Sequence, residues 1–129
     1  MFHFHHTGLL VKDINSTIEF YKNTFGFTEV SEIFQITNQK VKVCFIKNGT
    51  DSFLELVMPE EENEAMYKML EKKVNYYHVG YKVDDFDQAL KTLEEGTILL
   101  NTFNSEAFDG KRCAFVYSRE MHLIEIIEK

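Results

Sequence analysis

The sequence predicts an α+β fold built from two tandem βαβββ modules that form a cupped mixed sheet. Three observations predict it. A strand-then-helix stretch, HTGLLVKDINSTI, recurs as HVGYKVDDFDQAL at an offset of 72 residues. The pairs CFI/AFV and FLELV/LIEII then recur in the same order at an offset of 70. The apolar period alternates between that of strands and that of helices within each half.

In the first half, a strand over Phe4–Val11 runs into Asp13, whose carboxylate suits a helix N-cap. Ile14, Ile18, Tyr21 and Phe25 then recur at gaps of three and four, an amphipathic helix stopped by Gly26. Strand-like runs follow near Thr28–Ile36, Lys40–Lys47 and Ser52–Met58, broken at Asn38 and at the turn-forming NGTD. The second half repeats this pattern. Strands are expected near Tyr76–Val83, Thr97–Phe103, Lys111–Tyr117 and His122–Ile127, with a helix near Phe86–Glu95 closed by Gly96. Between the halves, PEEENEAMYKMLEKK reads as an exposed linker helix, since only Met66, Met69 and Leu70 supply an apolar stripe. The whole chain, 1–129, is then one domain made of modules 1–58 and 75–129 joined by a helix around 60–73.

Composition bounds the function. With 129 residues and 44% hydrophobic content, one core is affordable. A net charge of −7 argues against nucleic acid or an anionic membrane as partner and leaves a small molecule. No signal-peptide pattern opens the chain, which points to the cytoplasm. Cys44 and Cys113 lack metal-motif spacing and read as reduced packing residues.

Four residues stand out because the repeat pairs them: His6 with His78, and Glu55 with Glu125. Each glutamate interrupts an apolar strand face, where an unpaired carboxylate is costly to desolvate. Taken singly, Glu55 could pair with Lys42 or Lys47 across a strand, and Glu125 could be a charge guarding a sheet edge. Taken together, two imidazoles and two carboxylates compose a shell for a divalent ion. Strict alternation places His5 on the face opposite His6, and both His3 and His5 are expected to be exposed. Lys111 and Arg112, beside FDG, are candidates to attract an anionic substrate group. Tyr76, Tyr81, Phe103 and Phe108 are candidates to wall the cup.

The stretches HTGLLVKDINSTIEFYKNTFGF, FLELV, YYHVGYKVDD and LIEIIEK, in that order, resemble the vicinal oxygen chelate superfamily, also called the glyoxalase/bleomycin-resistance/dioxygenase superfamily, along nearly the whole chain. The resemblance implies a metal at the centre of the cup held by His6, Glu55, His78 and Glu125, and a homodimer. It implies one Ni, Co, Mn or Zn ion per site, with Glu125 as proton-transfer base and Glu55 as its counterpart. Among family members the chain resembles both bacterial glyoxalase I (lactoylglutathione lyase) and methylmalonyl-CoA epimerase. Where the former has a glutathione-contacting asparagine, this chain has Pro59. Where the latter has an additional catalytic glutamate, it has Asn38 and Gln39. A binding protein on the same scaffold, sequestering a small molecule such as an antibiotic, is the alternative to an enzyme.

Overall fold

The computed structural model describes residues 1–129. The elements run β1 (Phe2–Leu10), α1 (Ile14–Phe25), β2 (Glu29–Val30), β3 (Phe34–Ile36), β4 (Val41–Lys47), β5 (Phe53–Pro59), α2 (Glu64–Glu71), β6 (Tyr76–Val83), α3 (Phe86–Leu93), β7 (Thr97–Ser105), β8 (Lys111–Ser118) and β9 (Leu123–Glu128). Nine strands form a single mixed sheet in the order β2-β4-β5-β1-β6-β9-β8-β7, with β3 also pairing with β4. Each module contributes one parallel pair, β1 with β5 and β6 with β9. The modules join through the antiparallel pair β1–β6 at the middle of the sheet.

Local chemistry explains the helix ends. Asp13 Oδ1 accepts from the backbone N–H of Asn15 and Ser16 at 3.0 and 3.2 Å, and Gly26 ends α1 at φ +70°. Asp85 caps α3 in the same way through Gln88 N–H. Helix α3 stops at Leu93, two residues short of the expected Glu95. Phe25, expected on the buried stripe of α1, is exposed, with its ring beside those of Phe20 and Tyr21.

The strand expected over Thr28–Ile36 is two short strands, β2 and β3. Between them Ser31 donates its backbone N–H to Phe45 O, while its Oγ accepts from Phe45 N–H at 2.9 Å. A side chain thus takes a ladder position, and the strand breaks there.

Helices α1 and α3 cover the convex face. Ile14 packs with Cys44, Ile46 and Leu56, and Phe86 and Ala89 pack with Val83, Ala114 and Ile126. The concave face holds a separate core that includes Val43, Phe45, Val57, Phe103 and Phe115. The linker helix α2 closes one side of it through buried Met66 and Leu70. Short 3-10 turns at Thr37–Gln39 and Glu106–Phe108, one from each module, meet over the cup, where Thr37 N–H donates to Glu106 Oε2 at 3.2 Å. Both cysteines are buried and free. No helix is long and apolar enough to cross a membrane.

Candidate metal centre

The four repeat-matched residues lie on four adjacent strands, β5, β1, β6 and β9, and the register sets them in two rows. Glu55 stands beside Gly8, which stands beside His78; Glu125 stands beside Gly80, which stands beside His6. Phe45 and Phe115 extend the rows outward, opposite Glu55 and Glu125. Each row therefore reads Phe–Glu–Gly–His across the sheet, with the two modules contributing in opposite directions.

The glycines have a specific task. A Cβ on Gly8 would fall into the imidazole of His78, and a Cβ on Gly80 into that of His6. Each module thus supplies the floor on which the other module's histidine ring lies. This answers why histidine and glycine recur two residues apart: the pair is read across strands, not along one.

His6 and His78 are buried, as are Glu55 and Glu125. The His6 Nε2 lies 3.3 Å from Glu55 Oε1, 3.2 Å from Glu125 Oε1 and 2.8 Å from His78 Nε2. The His78 Nε2 lies 3.1 and 3.3 Å from the same carboxylate oxygens. Adjacent ligands at about 2.0–2.3 Å from one ion stand roughly 3 Å apart, so these spacings fit a shared divalent cation. Glu55 Oε1 is buried without a hydrogen-bond partner although two ring nitrogens are within 3.3 Å. Distance is met but direction is not: the donor set converges on a common point rather than forming ordinary pairs. The residues present fit a metal ion.

Electrostatics agree. Burial disfavours charge on His6 and His78, but the neighbouring glutamates outweigh it and raise both imidazoles. Burial would likewise raise Glu55 and Glu125, yet the two histidines hold both carboxylates below their usual range. Protons held on the imidazoles thus offset the carboxylate charge, and a divalent cation can take their place. The alternatives for single residues do not hold. Lys47 pairs with Glu29 rather than Glu55, and β9 is an interior strand, so Glu125 guards no edge.

His5 corrects the alternation argument. The pairing of β1 with β6 slips between Phe4 and His6, so His5 is an extra residue in a β-bulge. It is half-buried, its Nδ1 2.9 Å from His6 Nδ1, among the rings of Phe45, Phe53 and Phe108. Burial, with His6 and Lys82 nearby, lowers its pKa to about 4, so it is neutral at physiological pH. The same bulge turns Phe4 away to pack on Tyr81. His3 is exposed as expected, beside Asp84. A second slip on β6 makes Tyr77 the matched extra residue, its ring 4.6 Å from that of His78.

A cavity of about 20 Å³, room for one water-sized particle, touches Glu55, His78 and Glu125. Its walls include Gln39, Tyr77, Phe103 and Phe108. Of the aromatic candidates, Phe103 and Phe108 line it; Tyr76 is exposed, and Tyr81 packs on the convex side with Val83 and Phe86. Gln39, Tyr77 and Phe115 also border an outer groove of about 530 Å³ whose opposite wall is α2. The linker helix is thereby part of the approach to the site. Gln39 is marked in the sequence only by the epimerase resemblance, and Tyr77 carries no signal beyond its neighbours in the repeat.

Arg112 is not brought to the site. Its guanidinium pairs with Glu128 at 3.0 Å and Asp87 at 3.1 Å and lies 4.6 Å above the Phe86 ring, against α3. Lys111 is exposed at the start of β8. Lys82, on the same strand face as His78, lies over Phe108 at 5.6 Å, a cation near the cluster that sequence reading overlooked.

Comparison with known proteins agrees with this architecture. A hypothetical protein of Bacillus halodurans superposes with a TM-score of 0.84 at 23% identity, covering 99% of this chain and 94% of its own. Methylmalonyl-CoA epimerase of Mycobacterium tuberculosis superposes at 0.84 with 22% identity, covering 98% and 87%. At these identities the likeness shows the fold alone. A Streptomyces coelicolor methylmalonyl-CoA epimerase variant, in complex with 2-nitronate-propionyl-CoA, reaches 0.82 at 26% identity, covering 98% and 94%. No curated protein matches the chain significantly. The profile of the Glyoxalase/Bleomycin resistance protein/Dioxygenase superfamily matches residues 5–115, both strand–helix units and all ligand-competent strands but the last. The paired modules, the cupped sheet and that match lead to one conclusion: the chain belongs to the glyoxalase/bleomycin resistance protein/dioxygenase superfamily.

Proposed function

We propose that the protein is a divalent-metal-dependent lyase or isomerase of the glyoxalase I type, moving a proton between adjacent carbons of a small α-oxo thiol adduct. The observation that carries this reading is the buried His6, Glu55, His78, Glu125 cluster, whose donor atoms all lie within 4.8 Å of one another. Ni, Co, Mn or Zn suits a shell of two nitrogens and two oxygens. Bound there, such an ion supplies Lewis-acid polarisation of a carbonyl oxygen next to the carbon that loses its proton.

The chain's own residues supply the rest. Glu125 faces the cavity and takes the proton from the carbon bearing the thiol, while the electron pair moves toward the carbonyl oxygen. The same carboxylic acid then delivers its proton to the neighbouring carbon, and the hydroxyl proton passes between the two oxygens, which gives a hydroxyacyl thioester. Glu55 stands across the repeat as the matching group on the other side. Tyr77 stays a protonated phenol, since burial and then the two glutamates raise its pKa.

The solved epimerase neighbours favour a second reading, epimerisation of a 2-branched acyl-CoA thioester; here one carboxylate would remove the α-proton and the other return it on the opposite face. The outer groove supports the small adduct instead: its rim carries Glu62 and Glu64 against Lys40, a poor setting for a polyanionic CoA tail. The homodimer is part of the proposal. Edge strand β7 exposes Ile98, Leu99 and Leu100, an apolar run suited to cover by a second copy.

The experiment is solvent exchange. Metal-loaded protein in deuterated water should place deuterium at carbon in the product of a methylglyoxal–thiol adduct. Glu125→Gln, which keeps an oxygen ligand but no base, should slow turnover by at least about 10²-fold. Exchange into a 2-methyl-branched acyl-CoA alone would select the epimerase reading. Exchange into neither, with metal bound, would turn the reading to a binding protein or to a substrate outside both classes.

A further inference from the structure

We propose that His5 is a positioning residue for the metal centre, accepting a hydrogen bond from His6 Nδ1–H and so dedicating His6 Nε2 to the ion. The inference rests on the proposed metal site for its purpose, but its hydrogen-bond geometry stands without it.

The two Nδ1 atoms are 2.9 Å apart. At that distance one nitrogen carries the hydrogen and the other is bare. The His6 Nε2 points to Glu55, Glu125 and His78, all within 3.3 Å. For that nitrogen to offer a lone pair to an ion, the hydrogen of the neutral ring must sit on Nδ1. The His5 Nδ1 is then the bare acceptor, with the His5 hydrogen on Nε2. A ligand histidine whose far nitrogen donates to a fixed acceptor is held in tautomer and orientation and is a stronger base toward the metal.

Three features make His5 a built acceptor rather than a chance neighbour. The bulge carries it to the His6 side against the alternation of the strand. Its ring stands perpendicular to that of His6, centroids 5.1 Å apart, which aligns the nitrogens edge to edge. Phe45, Phe53 and Phe108 wall it within 5.7 Å, so the acceptor is held and water is kept from replacing it. The second module provides the contrast. Its bulge carries Tyr77 in the matched place, and His78 Nδ1 is buried with no partner.

Two measurements test this, and the first needs no metal. Nitrogen-15 NMR of the metal-free protein should show His5 with Nδ1 bare and its hydrogen on Nε2, with coupling through the hydrogen bond to His6 Nδ1. A His5 hydrogen on Nδ1 overturns the inference, whatever the variants do. The second is cobalt(II) affinity followed by visible absorption. His5→Phe keeps the ring's volume and removes the acceptor, and should weaken binding roughly 10–100-fold. His5→Asn, which can place an amide oxygen where Nδ1 was, should recover most of that loss. His3→Phe, a change on the same strand away from the cluster, should bind as the wild type does. Folded His5→Phe protein with unchanged affinity overturns the proposal. If wild-type protein takes up no cobalt, the proposed function fails, and the NMR result alone decides the role of His5.

Discussion

The two modules place the same histidine and glutamate on matching rows, yet they do not surround them alike. His6 has a neighbour at Nδ1 and does not border the inner cavity; His78 has an unpartnered Nδ1 and lines it. The linker helix adds to the difference, because α2 follows only the first module and walls the groove beside Tyr77. Duplication thus explains the shell, which needs matched groups on a common centre. Divergence shows in the surroundings: both modules line the cavity, but of the two histidines only His78 borders it.

The largest expected effect comes from the feature the modules share most strictly. Gly80→Ala and Gly8→Ala each push a methyl into the opposite histidine ring, and both rings are fully buried. Overpacking of this kind costs about 1–3 kcal/mol, and here it displaces a ligand as well. Both variants should lose metal in elemental analysis and melt lower in calorimetry. One glycine tolerating alanine while the other does not would break the equivalence of the two rows.

Next in size is a comparison of the carboxylates. Glu125→Gln and Glu55→Gln remove one charge each from matched positions. With Glu125 as the base, its variant should lose solvent exchange by at least about 10²-fold, while the Glu55 variant loses chiefly metal affinity. Equal losses of exchange at full metal occupancy would make both glutamates bases, as epimerisation requires.

A smaller effect is linked to pH. His6 is raised to about 10 and His78 is also raised above the 6.5 of free imidazole, so the metal-free cluster holds at least one imidazole proton more than neutral rings would near neutrality. Metal binding must displace those protons, and affinity should rise with pH through the neutral range. Calorimetric titration in buffers of different ionisation enthalpy measures the protons released. The sign for stability follows from the same shifts. The histidine contribution is fully present below 6.5 and is lost as pH rises through the elevated values. The contribution of Glu55 and Glu125, whose values are depressed, is lost as pH falls through them. Metal-free protein should therefore weaken toward alkali more than the metal-loaded form. Zero proton release at neutral pH would contradict the raised imidazoles.

The smallest effect is expected at Arg112. Its partners are Asp87, Glu128 and the Phe86 face, all away from the cluster. Arg112→Met should leave metal content and exchange rate unchanged, which an affinity titration checks. A raised substrate KM in that variant would return Arg112 to the site.

Much of this was legible in one dimension. The repeat placed His6, Glu55, His78 and Glu125 in register because alternation and offset are properties of the chain read along its length. Asp13, Gly26 and Asp85 marked helix ends because capping involves residues only a few positions apart. The tertiary structure alone decided the rest. A bulge is a mismatch between two strands, so neither His5 nor Tyr77 could be assigned a side from its own strand. Arg112 found acids on α3 and β9, partners 25 and 16 residues away, that no local pattern names. Gly8 and Gly80 could be seen to recur, but the ring each accommodates belongs to the other module, and only the β1–β6 register shows it. The four donor groups meet within one chain for the same reason: that antiparallel pair closes the modules on each other and brings their donor atoms within 4.8 Å of one another.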